Sequence, residues 1–348
     1  MKIIRARNVN DALPLGLRYL AEDGVVSPSR NGAVHVAPVP VTTIYRHPEQ
    51  RVLFNKDRDA NPFFHFFESL WMLAGRDDLG YVANFARNMV NYSDDGVVIR
   101  GAYGYRWRKW FGNDQLTWAV ERLKKDPTDR RVVIGMWDPS GDPLAADEGV
   151  KDVPCNLTLH LQVNQATKEL DMSVFCRSND VVWGAYGANA VHFSFLLEYV
   201  ARAISVPVGK YYQISNNYHA YEDLYDKLAP VALATDPVFN PCLYTDGVAQ
   251  TFPLMPNGTS AAFDSELLMF LDEPFAIGFR QPFFNKIARP LLRAHQAYKS
   301  DLPDRFEEAR DELMFMPAGN DWRIGAEDWI DRREASFNRA KDDGPPHE

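Results

Sequence analysis

The sequence predicts an α+β fold, and three observations lead to this prediction. The chain has 348 residues, of which 46% are hydrophobic and 13% aromatic, which is enough apolar material for a substantial core. Two runs of alternating apolar and polar residues, 156–163 and 170–177, are joined by a short polar turn and therefore predict a β-hairpin. Other segments repeat their apolar residues at helical spacing, which predicts amphipathic helices around these strands.

The first two predicted helices both begin beside a polar residue. Asn10 precedes the first helix, which we expect to end at Gly24. Asn61 and Pro62 open the second helix with a cap and a first-turn proline. The second helix is apolar almost all round and should be buried, together with the carboxyl of Glu68. A buried carboxylate costs roughly several kcal/mol unless it is paired or protonated, so Glu68 must have a specific partner or a function.

The predicted hairpin assigns its side chains to two faces. The alternation in its second strand points Cys176 into the core, opposite to Arg177, which makes Cys176 a poor candidate nucleophile. The first strand is expected to share one face among Leu157, Leu159, Leu161 and Val163. Further strands are predicted at 33–45, 129–139 and 208–215, and further helices at 116–123 and 190–204.

The last third of the chain differs from the rest in its composition and in its pattern of predicted elements. Proline-rich loops follow residue 235, and helices are then predicted at about 283–300, 303–315 and 326–340. We therefore place a boundary at 235–245. Residues 1–240 are predicted to form the catalytic domain, and residues 241–348 a divergent, largely helical extension packed on it.

Composition excludes several classes of function. The net charge of -9 and the lack of a sustained Lys/Arg block argue against nucleic acid as a bulk ligand. Three cysteines without a CxxC spacing exclude a disulfide scaffold and a cysteine-built zinc site, and the acidic pairs lack a histidine at metal-ligand spacing, so no metal is expected. No signal peptide or membrane span is recognisable, which favours a cytoplasmic protein.

Cys155 is the strongest candidate for a reactive group. It follows an acidic loop and enters the first hairpin strand, and the second strand returns Arg177 and Ser178 beside it. The thiolate is the nucleophilic form of cysteine, and a neighbouring cation lowers the thiol pKa and so populates it. The same cation would hold an anionic substrate. The alternative is a buried structural cysteine.

Other polar residues could complete an anion site. Arg130 and Arg131 precede a strand and, taken alone, would be solvated surface residues. Combined with Arg30 and Arg177, however, they could clamp a phosphate dianion, because guanidinium forks match phosphate oxygens. His219 and Tyr221 share one face of an extended segment and could hold a sugar hydroxyl, although ordinary packing is the alternative.

Taken in order along the chain, these motifs resemble the thymidylate synthase family, which includes pyrimidine-nucleotide hydroxymethylases. The resemblance covers about residues 10–225. It rests on Arg30-Asn31-Gly32, Glu68-Ser69-Leu70-Trp71, Tyr103-Gly104-Tyr105-Arg106-Trp107-Arg108, Asp129-Arg130-Arg131, Pro154-Cys155, Arg177-Ser178-Asn179-Asp180, Gly184, Asn189 and His219-Ala220-Tyr221.

The resemblance implies a fold, a co-substrate and a reaction. The fold would be a mixed sheet packed with helices, and the co-substrate 5,10-methylenetetrahydrofolate. Cys155 would add to C6 of the pyrimidine and make C5 nucleophilic, Glu68 would organise a water relay, and Tyr103 would lie near the C5 proton. Asp180 would contact the base through its backbone N–H and the pterin through its carboxylate. Gly184 would also lie at the folate site.

The resemblance also implies how a pyrimidine deoxynucleoside monophosphate is held. The protein would be a homodimer in which the partner subunit donates Arg130 and Arg131 to the 5′-phosphate. The remaining implied ligands are Arg30, Arg177 and Ser178 for the phosphate, and His219 and Tyr221 for the deoxyribose 3′-hydroxyl.

Two departures from the family pattern concern the base. Asn156 follows the nucleophile where the family usually has histidine, which alters the water network near the base. The stretch after Asp180 carries one extra residue and lacks the family's proline. Asn189 there would read uracil, because an amide both donates to O4 and accepts from N3–H, and this favours dUMP. If Ala188 takes that position instead, the base preference stays open and dCMP is the alternative.

A third departure concerns the product. Methylating members carry tryptophans before the YGxxWR motif, but residues 83–98 contain none and hold Asn88, Asn91 and Tyr92 instead. The family's closing C-terminal tail is also unrecognisable. A more polar wall admits water to the reaction intermediate, and this favours attack by water on the exocyclic methylene at C5. We therefore expect hydroxymethylation of dUMP. The alternatives are thymidylate synthesis, dCMP hydroxymethylation and an inactive nucleotide-binding homologue.

Overall fold

A computed structural model of the chain describes residues 1–234 and 242–342. Eight strands within these ranges form one sheet. The strands are β1 (Lys2–Ala6), β2 (Val25–Ser29), β3 (Gly32–Val36), β4 (Val41–Tyr45), β5 (Val133–Gly135), β6 (Asn156–Val163), β7 (Leu170–Asp180) and β8 (Val208–Tyr221). The observed mixture of strands and helices agrees with the α+β prediction.

The helices surround this sheet and fill the last third of the chain. They are α1 (Val9–Asp23), α2 (Pro62–Leu73), α3 (Leu79–Ala83), α4 (Tyr103–Arg108), α5 (Gln115–Lys125), α6 (Asp142–Asp147), α7 (Asn189–Ala203), α8 (Glu222–Ala234), α9 (Ser260–Asp272), α10 (Arg289–Lys299), α11 (Arg305–Leu313) and α12 (Asp321–Asp342). A 3-10 helix spans Arg87–Tyr92, and π-helical segments span Val181–Ala188 and Phe284–Ala288.

The sheet is mixed, and its longest strand lies at the centre. The order is β1-β4-β8-β7-β6-β5. Strand β8 runs parallel to β7 on one side; on the other side it pairs antiparallel with β4 along its first half and with β3 along its last residues. Because β7 and β8 are parallel, their carboxyl ends meet, and the register places Ser178 beside Asn217 and Asp180 beside His219.

The predicted hairpin forms, but its first strand is irregular. Strands β6 and β7 pair antiparallel, and Cys176 is buried as expected. The predicted face through Leu157 is wrong at its start, because a β-bulge between Asn156 and Thr158 makes Leu157 an extra residue. A bulge shifts the alternation by one position. Asn156 is therefore fully buried where the sequence pattern points Leu157 inward.

The first residues of α1 and α2 show how a capping side chain determines where a helix begins. The Asn61 side chain accepts a hydrogen bond from the backbone N–H of Phe64 at 3.1 Å, which confirms the predicted cap of α2. The cap of α1 is Asn8, two residues earlier than the prediction from Asn10. Helix α1 ends before Gly24 as expected. Helix α2 is buried almost all round, with Glu68 inside it.

Residues 242–342 pack on the rest of the chain through aromatic rings and ion pairs. The ring of Phe66 in α2 lies 5.6 Å from that of Phe283 and 5.1 Å from that of Trp322. Arg76 bonds to Asp272 at 2.7 Å. Helix α9 contradicts the prediction of loops in this region. The prolines and glycine that suggested loops flank the helix and lie outside it. The predicted domain boundary falls largely on 235–241, outside the described residues.

Candidate active site

A pocket of about 780 Å³ lies where β7 and β8 end, beside the β2–β3 hairpin. This volume is typical of small-molecule sites. The predicted site residues that line it are Arg30, Cys155, Arg177, Ser178, His219 and Tyr221. The structure thus brings the candidate nucleophile, three predicted phosphate ligands and the predicted sugar ligands to one cavity.

Arg177 holds the loop that carries the nucleophile. Its Nε donates to the carbonyl oxygen of Pro154 and its Nη2 to that of Val153, both at 2.9 Å. The Arg177 backbone N–H donates to the Cys155 carbonyl at 2.8 Å. These three bonds fix the loop against β7. The guanidinium therefore positions Cys155 as well as lining the pocket, which the sequence reasoning missed.

The thiol of Cys155 is not ionised by its surroundings to the extent expected. Burial raises its pKa, and this outweighs the lowering by the positive charges of Arg177 and Arg30. The carboxylate of Asp152 raises the pKa further. The expectation that the neighbouring cation lowers the pKa of this thiol below its ordinary value is wrong, because desolvation dominates.

Tyr103 and Asn156 lie directly behind the nucleophile. The Asn156 backbone N–H lies 3.4 Å from the Tyr103 hydroxyl oxygen, which accepts from it. Burial raises the pKa of Tyr103 well above its usual value, and the neighbouring Cys155 adds to the rise. Tyr103 therefore stays a neutral phenol beside Cys155.

A chain of buried amides leads from Asn156 into the sheet. Asn156 Nδ2 donates to Asn189 Oδ1 at 3.1 Å, and Asn189 Nδ2 donates to Asn179 Oδ1 at 3.0 Å. Asn179 Nδ2 in turn donates to Gln213 Oε1 at 3.1 Å and to Ser215 Oγ at 2.9 Å. Each amide thus has its orientation fixed by the next. The oxygen Oδ1 of Asn156 is buried and has no hydrogen-bond partner among the described residues.

The stretch after Asp180 forms an irregular segment, Val181–Ala188, that precedes α7. Its Tyr186 and Gly187 depart from helical dihedral angles, so the chain kinks just before Asn189. The segment brings Asn189 into the amide chain, whereas Ala188 is partly exposed and has no polar side chain. Gly184 packs against this chain: a Cβ added there would lie 2.6 Å from Asn179 Oδ1 and 3.2 Å from Asn189 Nδ2.

Asp180 begins the π-helical segment. Its Oδ1 accepts from the backbone N–H groups of Val182 at 2.9 Å and Trp183 at 2.5 Å. Its Oδ2 is buried without a hydrogen-bond partner in residues 1–234 or 242–342. Burial raises the pKa of Asp180. Burial also lowers the pKa of the adjacent His219, although the Asp180 carboxylate opposes that change.

The sugar-binding candidates are linked to residues that the sequence analysis did not single out. His219 Nδ1 lies 2.7 Å from Asn217 Oδ1, and the His219 ring meets that of Tyr221 edge-on at 5.5 Å. Asn31 Nδ2 donates to the Tyr221 hydroxyl at 3.4 Å. Asn217 pairs with Ser178 across the strands, and only the parallel β7–β8 register, which is not readable from sequence, brings it there.

Arg130 and Arg131 do not line this pocket. Both are exposed, and the guanidinium of Arg131 forms a fork on Asp129 with bonds of 2.9 and 2.8 Å. Their donation to the site of a partner subunit, which the family resemblance implies, stays a prediction. Arg30 lies in the exposed turn between β2 and β3 and does line the pocket.

The buried carboxyl of Glu68 is in close contact with His192, although Glu68 Oε2 and His192 Nε2 do not meet in hydrogen-bonding geometry within the described residues. Its Oε2 lies 2.8 Å from Nε2 of His192, and both side chains are buried. His192 lies three residues after Asn189 on α7, one helical turn away. Sequence reasoning missed His192, since a lone histidine on an apolar helix gives no signal until the partner helix is known.

Trp183 is a further residue that the sequence analysis missed. It is 53% exposed, although it is a large aromatic residue. The guanidinium carbon of Arg58 lies 4.4 Å from its ring centroid, and Arg58 Nε donates to the Val182 carbonyl at 2.8 Å. The arginine covers part of the indole and holds it beside Asp180. An exposed indole fixed in this way is suited to stack on a planar ligand.

Residues 1–234 and 242–342 contain neither a metal-binding cluster nor a membrane-spanning helix. No group of three or more His, Cys, Asp or Glu side chains within 1–234 and 242–342 is arranged to hold a metal ion. None of the helices described in these ranges is long and apolar enough to cross a membrane.

A thiol flanked by two arginines in a pocket of this volume is a candidate active site for an enzyme that binds an anionic substrate. The chain belongs to the thymidylate synthase family. Residues 29–250 match the sequence model of that family, which is described as thymidylate synthase. This confirms the resemblance inferred from the ordered motifs.

Known proteins similar to this chain include phage enzymes. The deoxyuridylate hydroxymethyltransferase of Pseudomonas phage M6 is 49% identical over 357 residues, which cover 100% of both chains. The enzyme of the same name from Bacillus phage SP01 is 37% identical over 272 residues, 74% of this chain and 69% of that one. The crystal structure of thymidylate synthase from T4 phage matches 63% of this chain and 79% of its own with a TM-score of 0.53 and 20% identity, which confirms the fold.

Proposed function

We propose that this protein transfers a one-carbon unit to C5 of dUMP and releases 5-hydroxymethyl-dUMP. The observation that carries the proposal is the position of Cys155 on the wall of the pocket that also holds Arg30, Arg177 and His219. The full-length similarity to a deoxyuridylate hydroxymethyltransferase supports the choice of substrate and product.

The pocket has ligands suited to each part of dUMP. Arg30, Arg177 and Ser178 can bind the 5′-phosphate, since two charged forks and a hydroxyl match its oxygens. His219 and Tyr221 can bind the 3′-hydroxyl. In the reaction, the Cys155 thiolate adds to C6 and pushes the electron pair through C5 to O4, which makes C5 a nucleophile.

Asn189 is the proposed reader of the base. A uracil ring presents an acceptor at O4 and a donor at N3, and a side-chain amide can satisfy both. The bonds from Asn156 and to Asn179 fix which end of the Asn189 amide carries the oxygen. Asn156 occupies the position after the nucleophile, and its unpaired Oδ1 can accept from a water or from the base.

The residues beside Asp180 fit a pterin. The unpaired, buried Oδ2 of Asp180 is an acceptor for the N–H groups on a pterin edge, and the exposed face of Trp183 can stack on its ring. Gly184 follows Trp183 and leaves room near the amide chain. When bound, 5,10-methylenetetrahydrofolate supplies the one-carbon unit at the oxidation level of formaldehyde.

The proton transfers need groups that stay near the base. Tyr103 is kept neutral by burial and lies beside Cys155, so it can hold a water next to C5. Glu68 is the buried carboxylate that can relay protons. The folded enzyme is proposed to act as a homodimer in the cytoplasm, with Arg130 and Arg131 reaching the phosphate of the partner's site.

Product analysis tests the reaction. The protein is incubated with methylenetetrahydrofolate and either dUMP or dCMP, and the nucleotide product is weighed. A gain of CH2O on dUMP, with tetrahydrofolate as the second product, is expected. A gain of CH2 with dihydrofolate would establish thymidylate synthesis instead, and product from dCMP alone would overturn the assignment of the base.

Two cysteine variants make this test specific. Cys155→Ala should abolish product while dUMP still binds. Cys242→Ala serves as the matched control, because Cys242 is a buried cysteine whose neighbour is Asn8 and not the pocket. Turnover by Cys155→Ala would refute the covalent mechanism.

Mixing subunits tests the shared site. Neither Cys155→Ala nor Arg130→Ala alone should turn over at an appreciable rate. If arginines cross the interface, a mixture of the two should regain up to roughly a quarter of the wild-type activity, since half of the random dimers contain one intact site. No recovery in dimers shown to exchange would contradict the donation of Arg130.

A further inference from the structure

The buried pair Glu68–His192 has a geometry that proton relay by Glu68 alone does not require. Glu68 Oε2 lies 2.8 Å from His192 Nε2, and the residues are 6% and 3% exposed. Two helices, α2 and α7, each contribute one member. A carboxylate at hydrogen-bonding distance from one imidazole nitrogen orients the ring and selects its tautomer.

The other nitrogen of this imidazole is free to act as a base. If Nε2 carries the proton and faces Glu68, Nδ1 carries the lone pair. Nδ1 is buried and, like Nε2 and the Oε2 of Glu68, makes no hydrogen bond of standard geometry within residues 1–234 and 242–342. A buried acceptor without a partner calls for a water or a ligand. The carboxylate would stabilise the imidazolium formed when Nδ1 takes up a proton.

Helix α7 links the His192 imidazole to the residues around Cys155. Asn189 and His192 are spaced i and i+3, so they share one face at the start of the helix. Asn189 bonds to Asn156, the neighbour of Cys155. The next residue of the helix, Phe193, packs its ring 5.9 Å from that of Tyr103. The pair is thus attached to the same wall as the nucleophile.

The charged and titratable neighbours of His192 do not replace it as a base. His65 lies nearby on α2, and burial holds its pKa well below the usual value, with Arg58 and His192 adding to that effect. Burial lowers the pKa of Arg58 to about 10, while Asp180 opposes the change, so Arg58 stays a cation at neutral pH. Neither group is in hydrogen-bonding contact with Glu68.

We infer that His192 is the general base that activates the water in hydroxymethylation and that Glu68 positions it. This inference rests on the proposed function. Water oxygen attacks the exocyclic methylene on C5 while one of its protons passes to His192 Nδ1, and the π electrons move to O4. The resulting enolate then re-forms the C5–C6 double bond and expels the Cys155 thiolate. The imidazolium returns its proton to the thiolate or to solvent, which restores the enzyme.

Two readouts separate this water step from the steps before it. Release of tritium from C5 of labelled dUMP, with methylenetetrahydrofolate present, reports addition by Cys155 and attachment of the one-carbon unit. Formation of 5-hydroxymethyl-dUMP reports the water step. In His192→Asn we expect product formation to fall roughly 100-fold or more. Tritium release should stay within about threefold, since earlier steps do not use this base. An added thiol should then trap the methylene as a thioether.

The controls keep the outcomes distinct. His295→Asn removes another buried histidine, whose ring centroid lies 5.2 Å from that of Phe63. Because His295 is not part of the Glu68–His192 pair, this variant should leave both readouts unchanged. Wild-type protein that makes no 5-hydroxymethyl-dUMP would refute the proposed function. A wild type that makes it, together with a His192→Asn variant that retains its product rate or loses tritium release equally, would refute the role of His192.

Discussion

Replacing Gly184 by alanine should disrupt the amide chain that orients Asn189. The new Cβ would lie 2.6 Å from Asn179 Oδ1, closer than such atoms approach in proteins, and 3.2 Å from Asn189 Nδ2. Asn179 cannot swing aside without cost, because its Nδ2 holds both Gln213 and Ser215. The φ of Gly184 is not in the left-handed region, so the effect is steric and not a matter of backbone strain.

The magnitude follows from two contributions. Overpacking a rigid interior costs about 1–3 kcal/mol. Breaking the bond from Asn189 to Asn179 and leaving a buried amide unpaired costs about 1–3 kcal/mol more. We therefore expect Gly184→Ala to lower the free energy of unfolding by roughly 2–6 kcal/mol. If the Asn189 amide turns away from the base, dUMP affinity should fall about 10- to 100-fold, at about 1.4 kcal/mol per factor of ten.

Urea unfolding at fixed protein concentration measures the stability, and calorimetric titration with dUMP measures the affinity. Gly80→Ala is the matched control, because Gly80 lies in α3 and a Cβ there meets no atom within 4 Å. It should be neutral or stabilise by up to about 1 kcal/mol. A Gly184→Ala protein with wild-type stability and wild-type dUMP affinity would refute the view that this amide chain is rigid and reads the base.

Three further predictions concern stability and reactivity. Arg51→Met should destabilise the protein by about 3 kcal/mol, because it removes the buried partner of Glu198 and leaves that carboxylate only the longer contact with Arg202 at 3.7 Å; combining it with Glu198→Gln should cost less than the sum in urea unfolding. Burial raises the pKa of Asp321 to about 7, so the folded state binds this proton more tightly than the unfolded state, and stability should fall as pH rises from about 4 to 7. Asp321→Asn should remove up to about 4 kcal/mol of that fall, at about 1.4 kcal/mol for each of roughly three pH units, and an unchanged pH profile would contradict it. Alkylation of Cys155 should accelerate only above its ordinary pKa, and Arg177→Met should slow it at pH 8; equal rates would exclude an electrostatic role for the guanidinium.

Much of the fold could be predicted because local patterns determine it. The cap and proline at 61–62 define the start of α2, and the alternating runs define the β6–β7 hairpin. The family resemblance was also readable, since its motifs are short and ordered. Helix α9 was not predicted, because the prolines and glycine around 253–258 and 274 dominate the local pattern although none lies inside the helix.

The parts of the site that escaped prediction depend on contacts between distant segments. The bulge at Leu157, which buries Asn156, is visible only once β6 and β7 are in register. The same holds for the bond from Asn189 to Asn179 and for the contact between Glu68 and His192. The pKa of Cys155 was predicted in the wrong direction because the sequence shows the charge of Arg177 and not the burial that outweighs it.

The amide chain that includes Asn189 and the Glu68–His192 pair have different chemical roles at the start of α7. Asn156 and Asn189 cannot gain or lose protons near neutral pH, so the wall that they form can orient a base but cannot move a proton. We therefore assign proton transfer on this helix face to His192, which lies one turn further on, with Glu68 of α2 in contact with it. It follows that substitutions in the amides should change which base is bound, whereas substitutions in the dyad should change the fate of a base already bound. This separation explains how asparagine can follow the nucleophile Cys155 without loss of the acid–base chemistry that the reaction requires.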